Sequence, residues 1–252
     1  MNPAGNTILI TGGGSGIGRG LAEALHKLGN HVIIAGRRRA ILEETAAANP
    51  GMISMVFDIE QASGISSFVP ELLAAFPRLN VIINNAGIMR PERLHDEPEA
   101  SLKAAEAIIA TNLLGPIRLT AALIPHFKQQ PGATIINVSS GLAFVPLALT
   151  PTYCATKAAI HSYSQSLRDQ LKATKIEVLE IIPPYVQTDL LGGAEDPRAM
   201  PLKDFIAETI ALLTTQPTPP EIAVERVKFL SQAANRDEYE KVFSTLNAQH
   251  FE

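Results

Sequence analysis

The stretch TILITGGGSGIG, residues 7–18, decides the fold. Its first five residues form a short apolar run, which is typical of a buried strand, and the amphipathic pattern of residues 17–29 predicts a helix. Between the two lie Gly12, Gly16 and Gly18. Glycine lets the backbone approach a pyrophosphate closely, and the N-terminus of a helix offers it free N–H groups. Turns need glycine for other reasons as well, but a position between strand and helix favours a dinucleotide-binding turn.

Apolar runs and helical patterns continue to alternate beyond this turn. The runs lack the polar alternation of a solvent-facing sheet, which indicates strands buried on both faces of a parallel sheet, joined by right-handed helical crossovers. The sequence therefore predicts an α/β protein with a single doubly wound (Rossmann) parallel sheet and helices on both faces, in one domain over residues 1–252. The predicted strands are 7–11, 31–35, 53–57, 81–84, 134–139 and 177–182, and the predicted helices are 17–29, 39–49, 63–76, 99–128 (with a kink at Gly115-Pro116) and 152–173.

The residues after 188 have a different character. Residues 189–205 are rich in glycine and proline and predict a mobile loop. Residues 203–213, 219–233 and 237–251 then show helical patterns. We therefore expect the domain to end in a helical C-terminal extension over about residues 219–249.

The composition limits the classes of function. Hydrophobic residues make up 46% and charged residues 18% of the chain, and the net charge is -4, with no basic run longer than Arg37–Arg39. This balance argues against binding to nucleic acid or to an anionic membrane. Cys154 is the one cysteine, which excludes an internal disulfide and fits a reducing compartment. The six histidines are scattered, so no metal site is predicted.

The first residues show no basic stretch followed by a long apolar one, so we expect no secretory signal. No window holds about 18 uninterrupted apolar residues, the length that a membrane span needs. A cytoplasmic protein without a membrane partner is expected.

Polar residues follow three of the predicted strands, at the edge of the sheet where ligands bind in such folds. They are Asp58-Ile59, Asn84–Gly87 and Ser139-Ser140. Taken singly, each has a simpler explanation as a helix cap, a turn or a loop start. Tyr153 and Lys157 lie four residues apart in a predicted helix and therefore on one face of it, although such a pair alone is usually a half-solvated patch.

In their order and spacing, these segments resemble the motifs of the short-chain dehydrogenase/reductase family. The resemblance covers roughly residues 5–190. It implies an NAD(P)-dependent oxidoreductase that transfers a hydride between a nicotinamide and a carbonyl or secondary alcohol substrate, with the loop of residues 189–205 beside that substrate. The matching segments are TGGGSGIG (11–18), Asp58, NNAG (84–87), Asn112, Ser140, YCATK (153–157) and PPYVQT (183–188).

The resemblance assigns roles to four catalytic residues. Tyr153 is the acid/base, and Lys157 lowers its pKa and holds the ribose hydroxyls of the nicotinamide. An unperturbed tyrosine has a pKa of about 10, so a nearby ammonium group and the positive oxidised nicotinamide should favour the phenolate. Ser140 hydrogen-bonds the substrate oxygen as charge develops on it. Asn112 holds a water that connects Lys157 to solvent.

The resemblance also places the cofactor. Relatives that prefer NAD carry an acidic residue at the end of the second strand, whereas this chain has Gly36 there and Arg37 after it. Arg37, assisted by Arg38, is expected to meet a ribose 2′-phosphate, while Arg39 begins the next helix. NADP(H) is therefore the preferred cofactor; NAD(H) stays open, as does the alternative that all three arginines simply face water. The implied cofactor-binding residues are Gly12, Ser15, Ile17, Gly18, Arg37, Arg38, Asp58, Ile59, Asn85, Gly87, Tyr153, Lys157, Val186 and Thr188.

Two features depart from the family pattern. Pro183-Pro184 stands where the family has Pro-Gly, which should stiffen the turn beside the nicotinamide. The family's last strand is missing from the pattern, and the helical tail takes its place. This ending and the PPYVQT turn resemble the branch that includes the oxidoreductase named from teichoic-acid D-alanylation operons. The resemblance implies a homodimer through the helices 99–128 and 152–173, and the missing strand argues against a tetramer.

The sequence indicates an apolar small-molecule substrate without naming it. Two other classes of function stay open: a dinucleotide-sensing or interaction protein that has lost catalysis, and a sugar-nucleotide epimerase or dehydratase. All four catalytic residues are present, which disfavours the first, and the short C-terminal part leaves little room for the substrate domain of the second. The candidate pocket residues, about half of which core packing explains equally well, are Leu142, Phe144, Val145, Leu147, Leu149, Tyr185, Leu190 and Leu191.

Overall fold

The computed structural model describes residues 1–248, and seven strands within them form one sheet. The strands are β1 (Thr7–Thr11), β2 (His31–Gly36), β3 (Ile53–Val56), β4 (Leu79–Asn84), β5 (Ala133–Val138), β6 (Ile176–Ile182) and β7 (Glu221–Ala223). Their order in the sheet is β3-β2-β1-β4-β5-β6-β7, and every neighbouring pair is parallel. The chain thus starts in the middle of the sheet, builds one half outward and returns to build the other. This confirms the predicted doubly wound fold.

Helices connect the strands. They are α1 (Gly16–Lys27), α2 (Arg39–Ala48), α3 (Ala62–Ala75), α4 (Pro98–Ile109), α5 (Gly115–Phe127), α6 (Pro151–Leu171), α7 (Leu202–Thr214), α8 (Lys228–Ser231) and α9 (Tyr239–Asn247).

The hydrophobic core lies on both faces of the sheet. Alternate residues of β1 show this, because side chains along a strand point to opposite faces. Ile8 belongs to the cluster that contains Leu21 of α1 and Phe205 of α7, whereas its neighbour Leu9 belongs to the cluster that contains Leu119 of α5. Ile8 and Leu9 are both fully buried. Two-sided burial explains the uninterrupted apolar runs in the sequence.

The predicted long helix 99–128 is divided where the sequence predicts a kink. A π-helix, Ala110–Leu114, joins α4 to α5 directly before Gly115-Pro116. A Cβ on Gly115 would lie 2.7 Å from the side chain of Ile59, so glycine allows this helix to approach the end of β3 closely. The stretch 98–127 is long and apolar enough to cross a membrane by length and composition alone, since an 18-residue window in it has a mean hydropathy of 1.6. That observation is weak evidence for a membrane, because core helices of soluble proteins share this composition.

The C-terminal part corrects one expectation. Residues Glu221–Ala223, predicted to be helical, form β7 and pair in parallel with β6. The prediction that the last strand is missing was therefore wrong, and the argument against a tetramer that rested on it no longer holds. A strand of three residues is too short to show a periodic pattern, and the apolar residues that follow it in a 3₁₀ turn (Glu225–Val227) and in α8 gave the whole segment a helical appearance.

The last predicted helix is present as α9. The end of the predicted tail, from residue 249, lies outside the described residues. The predicted loop 189–205 is partly ordered, because it contains a 3₁₀ turn, Leu190–Glu195, and α7 already begins at Leu202. The hydroxyl of Tyr185 donates to Oδ2 of Asp196 at 3.2 Å and ties the loop to the end of β6.

Candidate active site

A cavity of about 1230 Å³ opens at the carboxyl ends of the parallel strands. Because these ends share one edge of the sheet, segments that are distant in the sequence meet there. The glycine-rich turn after β1 and the arginines after β2 line one part of the cavity. Ser140, Tyr153 and Lys157 line another part. The two motifs that the sequence singled out thus share one cavity.

Backbone geometry explains two of the glycines in the turn. Gly12 has a φ of +67°, a conformation that glycine adopts without strain. At Gly18 a Cβ would lie 2.3 Å from the carbonyl oxygen of Gly12. Asn85 holds the same turn, since its Nδ2 donates to the carbonyl oxygen of Thr11 at 2.9 Å. Helix α1 can therefore begin directly against the end of β1, and its first turn, residues 16–18, lines the cavity.

Two arginines extend this part of the cavity. Strand β2 ends at Gly36, as predicted, and Arg37 and Arg38 line the wall after it. Nη2 of Arg38 donates to Oγ of Ser15 at 2.8 Å, which brings a guanidinium group onto the glycine-rich turn. Nη1 of Arg37 lies 3.4 Å from Oε2 of Glu60. Arg38 is thus close to the turn that would bind the pyrophosphate, whereas Arg37 lines the cavity beside Glu60.

Arg39 has a different environment. It begins α2, as predicted, and pairs with Glu43 one turn along that helix.

Helix α6 presents Tyr153 and Lys157 toward the same polar cluster. Nζ of Lys157 lies 5.5 Å from the centre of the Tyr153 ring and donates to the carbonyl oxygen of Val138 at 2.8 Å. Ser140 makes a side-chain hydrogen bond to Tyr153. All three side chains belong to buried residues. A phenol, a hydroxyl and an ammonium group therefore converge where water has little access.

Burial decides how these groups hold their protons. Burial raises the pKa of Tyr153 far above its usual range, and the hydrogen bond with Ser140 offsets this only in part. Burial lowers the pKa of Lys157 to about 8, while the negative charge of Glu180 opposes the change. That Lys157 and an oxidised nicotinamide together favour the phenolate of Tyr153 stays a prediction. The chain itself holds Tyr153 as a neutral phenol near pH 7.

Two predicted site residues lie behind the cavity wall. Asn112, in the π-helix, uses both polar atoms of its side chain on Ile88: Oδ1 accepts from the backbone N–H and Nδ2 donates to the carbonyl oxygen, each at 2.8 Å. It fixes the segment that follows β4. Oδ1 of Asp58 accepts from the backbone N–H of Glu60 at 3.1 Å, so this carboxylate stabilises a turn and does not cap α3, whose N-cap is Gln61.

The turn after β6 also reaches the cavity. The carbonyl oxygen of Pro183 accepts a hydrogen bond from the N–H of Gly141 at 2.9 Å, which joins this turn to the segment that carries Ser140. The remaining predicted cofactor residues all line the cavity: Ile17, Ile59, Asn85, Gly87, Val186 and Thr188.

Beyond Ser140 and Tyr153 the lining of the cavity is mostly apolar, with Asp196, Arg198, Arg226 and Lys241 among its charged residues. Of the eight candidate pocket residues, Phe144 and Val145 pack into the core, and six line the cavity: Leu142, Leu147, Leu149, Tyr185, Leu190 and Leu191. Sequence analysis missed the contribution of Ile88, Met89 and the C-terminal helices, namely Phe229 and Leu230 of α8 and Val242 and Leu246 of α9. The spacing of Val242 and Leu246 indicates one apolar helix face, but it does not show which surface that face covers.

Besides its apolar contacts, helix α9 is hydrogen-bonded to this wall through the side chain of Asn247. Oδ1 of Asn247 accepts from the N–H of Ala148 at 2.7 Å, and Nδ2 donates to the carbonyl oxygen of Pro146 at 3.1 Å. The tail therefore forms part of the cavity instead of extending away from it.

Two sets of buried polar contacts hold α6 in place, and sequence analysis missed both. Glu92 accepts hydrogen bonds from the backbone N–H and the hydroxyl of Thr152, at 3.1 and 2.7 Å, and so caps the first turn of the helix. Nδ2 of Asn84 donates to Oδ1 of Asn137, and Nδ2 of Asn137 donates to Oγ of Ser164, which links β4, β5 and α6. No local pattern in the sequence reveals partners so far apart.

Although the sequence predicts no metal site, the described residues contain a cluster of potential ligands. His161, Glu180 and Glu221 place ligand atoms within 4.8 Å of one another. The two carboxylate oxygens of Glu180 already accept hydrogen bonds from Ser139 and His161. These contacts are hydrogen bonds among side chains of the protein itself.

Comparison with known proteins gives the same picture as the geometry. A family profile described as short chain dehydrogenase matches residues 6–199, a range that includes every motif of the cavity. The chain belongs to the short-chain dehydrogenase family. It is an oxidoreductase of the type that binds a nicotinamide dinucleotide.

Individual relatives of this short-chain dehydrogenase refine the match. It is 39% identical over 252 residues to the Bacillus subtilis protein called uncharacterized oxidoreductase DltE, with 99% of each chain covered, which confirms the branch expected from the sequence. It is 28% identical over 234 residues to bovine L-fucose dehydrogenase, covering 91% of this chain and 84% of that one.

Two solved structures are similar as well. A short chain dehydrogenase from Burkholderia cenocepacia in complex with NADP shares the fold, with a TM-score of 0.83, 23% identity and coverage of 98% of this chain and 99% of the other. The 3-ketoacyl-(acyl-carrier-protein) reductase from Brucella melitensis, complexed with NADH, gives a TM-score of 0.76 at 28% identity and covers 87% and 95%.

Proposed function

We propose that this short-chain dehydrogenase transfers a hydride between NADP(H) and a carbonyl or secondary alcohol group of an apolar small molecule. The observation that carries the proposal is the shared cavity. Ser140, Tyr153 and Lys157 converge in one part of it, while the glycine-rich turn and two arginines line another. A hydride acceptor and a dinucleotide can therefore lie side by side.

The residues of the turn fit a dinucleotide. Glycines leave the backbone open between Gly12 and Gly18, and the N-terminus of α1 favours negative charge. The wall after β2 carries Arg37 and Arg38 and has no carboxylate at position 36, which suits a 2′-phosphate. Bound there, the nicotinamide supplies the hydride.

Tyr153 and the side chains around it supply the proton for the reduction. In carbonyl reduction Tyr153 gives its proton to the carbonyl oxygen, and its burial ensures that it holds this proton near pH 7. Ser140 hydrogen-bonds the same oxygen and stabilises its developing negative charge. Lys157 is an ammonium group below its pKa of about 8 and stabilises the phenolate that remains. That Asn112 also holds a water between Lys157 and solvent stays a prediction.

The apolar wall supports the class of substrate. The lining beyond Ser140 is rich in leucine, and α8 and α9 add further apolar side chains; its charged residues are Asp189, Asp196, Arg198, Arg226 and Lys241. Burying apolar surface contributes about 25 cal/mol per Å², so a hydrophobic ketone or aldehyde gains affinity from this wall.

The proposal also covers the number of domains, the cellular compartment and the oligomeric state of the protein. The continuous sheet with a core on each face supports one domain over the whole chain. Cys154 is free and buried, which suits the cytoplasm. Exposed apolar residues on α4 support a homodimer.

A screen of NADPH oxidation tests the function. Purified protein is mixed with NADPH and with members of a panel of ketones, aldehydes, keto acids and quinones, and the absorbance of NADPH is followed. We expect wild-type protein to oxidise NADPH with at least one apolar carbonyl compound and the Tyr153→Phe variant to lose this activity. Thermal stabilisation by NADPH without turnover of any panel member would instead favour the dinucleotide-sensing alternative.

A further inference from the structure

A fully buried carboxylate lies beside the catalytic cluster. Glu180, on β6, has no exposed surface. One of its oxygens accepts a hydrogen bond from the hydroxyl of Ser139, and the other lies 2.9 Å from Nδ1 of His161. A buried ion pair is often no more stable than apolar residues of the same size. Packing of the sheet alone therefore gives no reason for a carboxylate at this position.

The contacts of Glu180 lead to the catalytic residues. Ser139, which donates to Glu180, directly precedes Ser140 in the chain. Val138, which directly precedes Ser139, accepts a hydrogen bond from Nζ of Lys157 at 2.8 Å through its carbonyl oxygen. Glu180 and Lys157 thus bind consecutive residues of one segment. On α6, His161 follows Lys157 by one turn and lies on the same face.

We propose that Glu180 is a positioning residue for the reaction: its hydrogen bond to Ser139 fixes the segment that carries Ser140 and binds Lys157 through Val138, and its buried negative charge attracts the Lys157 ammonium group. The inference rests on the proposed roles of Tyr153 and Lys157 in proton transfer. Electrostatics agree with the geometry, because burial lowers the pKa of Lys157 and the charge of Glu180 raises it. Without Glu180, Lys157 loses its proton at lower pH.

Other charged groups face Glu180 and must be considered. His161 comes from α6, and Glu221 is the partner of Glu180 in the register of β6 and β7. Arg168, farther along α6, donates to the carbonyl oxygens of Val178 and Pro220 at the same side of the sheet. Glu221 is only partly buried, so solvent screens its charge more than that of Glu180.

A pH profile separates this role from a merely structural one. In carbonyl reduction, kcat/KM falls on the alkaline side as Lys157 loses its proton. In Glu180→Gln, which keeps the size of the side chain and removes its charge, we expect this fall to move to lower pH by roughly one unit. Glu180→Asp keeps the charge and should retain the wild-type profile. Glu221→Gln is the matched control: it removes an equal charge one strand away and should leave the profile unchanged.

The outcomes are distinct. An unshifted profile in a Glu180→Gln variant that melts at the wild-type temperature would overturn the proposal. So would an equal shift in Glu221→Gln, since the effect would then be one of net charge.

A double-mutant cycle tests the pairing without any substrate. Glu180→Gln, Lys157→Met and the double variant are unfolded with urea at pH 7, where Lys157 is charged. Glu180→Gln should lower the ratio of folded to unfolded protein in both backgrounds. We expect this loss to be about five-fold larger when Lys157 is present than when Met replaces it. Additive effects would overturn the proposal even if the reductase activity is confirmed. Coupling in a protein that reduces no carbonyl compound would leave the pairing intact and contradict the proposed function.

Discussion

At the scale of single residues, the burial of Tyr153 bears on the direction of the reaction. Its phenol lies near an ammonium group, yet loss of hydration raises its pKa. A protonated phenol is the form that carbonyl reduction requires, and alcohol oxidation requires the phenolate. The chain alone therefore favours reduction near neutral pH, and oxidation is expected to become faster as the pH rises.

The variant Tyr153→Phe tests the assignment most directly. The ring stays in its buried site, and only the hydroxyl that transfers the proton is lost. We expect kcat to fall by about 10²–10⁴-fold, the usual contribution of general acid–base catalysis. Affinity for NADPH, measured by fluorescence titration, should change little. Turnover within a few-fold of wild type would show that another group moves the proton.

Cofactor choice also depends on single side chains. A hydrogen bond to a charged group contributes roughly 1.5–3 kcal/mol, so we expect NADPH to be preferred about ten- to a hundred-fold in kcat/KM. The double variant Gly36→Asp/Arg37→Ala should reverse or abolish this preference. A side chain fits at position 36, because an added Cβ would meet no atom closer than 3.8 Å.

Arg38 and Arg39 refine this experiment. Arg38 contacts Ser15 on the glycine-rich turn, so Arg38→Ala should lower the preference for NADPH as well. Arg39 pairs with Glu43 on the surface of α2, and Arg39→Ala is therefore the control that should leave the ratio unchanged. Equal kcat/KM values for NADPH and NADH in the wild-type protein would mean that the arginines only face solvent.

At the scale of helices and strands, the sequence predicts elements that depend on neighbouring residues, but not contacts between residues far apart in the chain. The β1 strand, its glycine turn and α1 are coded by neighbouring residues, as are Tyr153 and Lys157 on α6. β7 escaped prediction because three residues show no period. Glu92 caps α6 from 60 residues away, and only the folded chain brings them together. The side chain of Asn112 is turned toward Ile88 by the π-helix, a local geometry that the sequence does not reveal.

The cap on α6 should contribute measurably to stability. Glu92→Ala removes two hydrogen bonds and leaves the N–H of Thr152 without its partner. We expect the free energy of unfolding in urea to fall by about 1–3 kcal/mol. Glu97→Ala is a suitable control, since Glu97 precedes α4 but makes no side-chain cap, and it should change stability by less than about 0.5 kcal/mol. An equal loss in both variants would remove the special role of Glu92.

At the scale of the whole molecule, the helices around the π segment leave apolar surface uncovered. Leu102 is 59% exposed, and Ile109 and Leu114 are also exposed. Next to them, Leu94, Ile109 and Leu113 form a shallow groove with Pro151 and Ala155 of α6. Single exposed apolar residues are common, but a contiguous group on neighbouring helices marks an interface. A second copy of the chain would cover this face and explain why only 44% of the most apolar 18-residue window in residues 98–127 is buried in one chain.

We therefore expect a homodimer through α4 and α6, with the small side chains Ala155 and Ala158 on α6 allowing helices to approach closely. Multi-angle light scattering at micromolar concentration should give twice the mass of 27.0 kDa. Leu102→Glu places a charge in the interface and should shift the protein toward monomers. Leu28→Glu, at the exposed end of α1, is the matched control and should leave the dimer intact.

A monomeric wild-type protein would contradict the proposed interface. A tetramer that Leu102→Glu converts to dimers would instead indicate a second interface, and because β7 is present at the edge of the sheet, such an interface has a place to form.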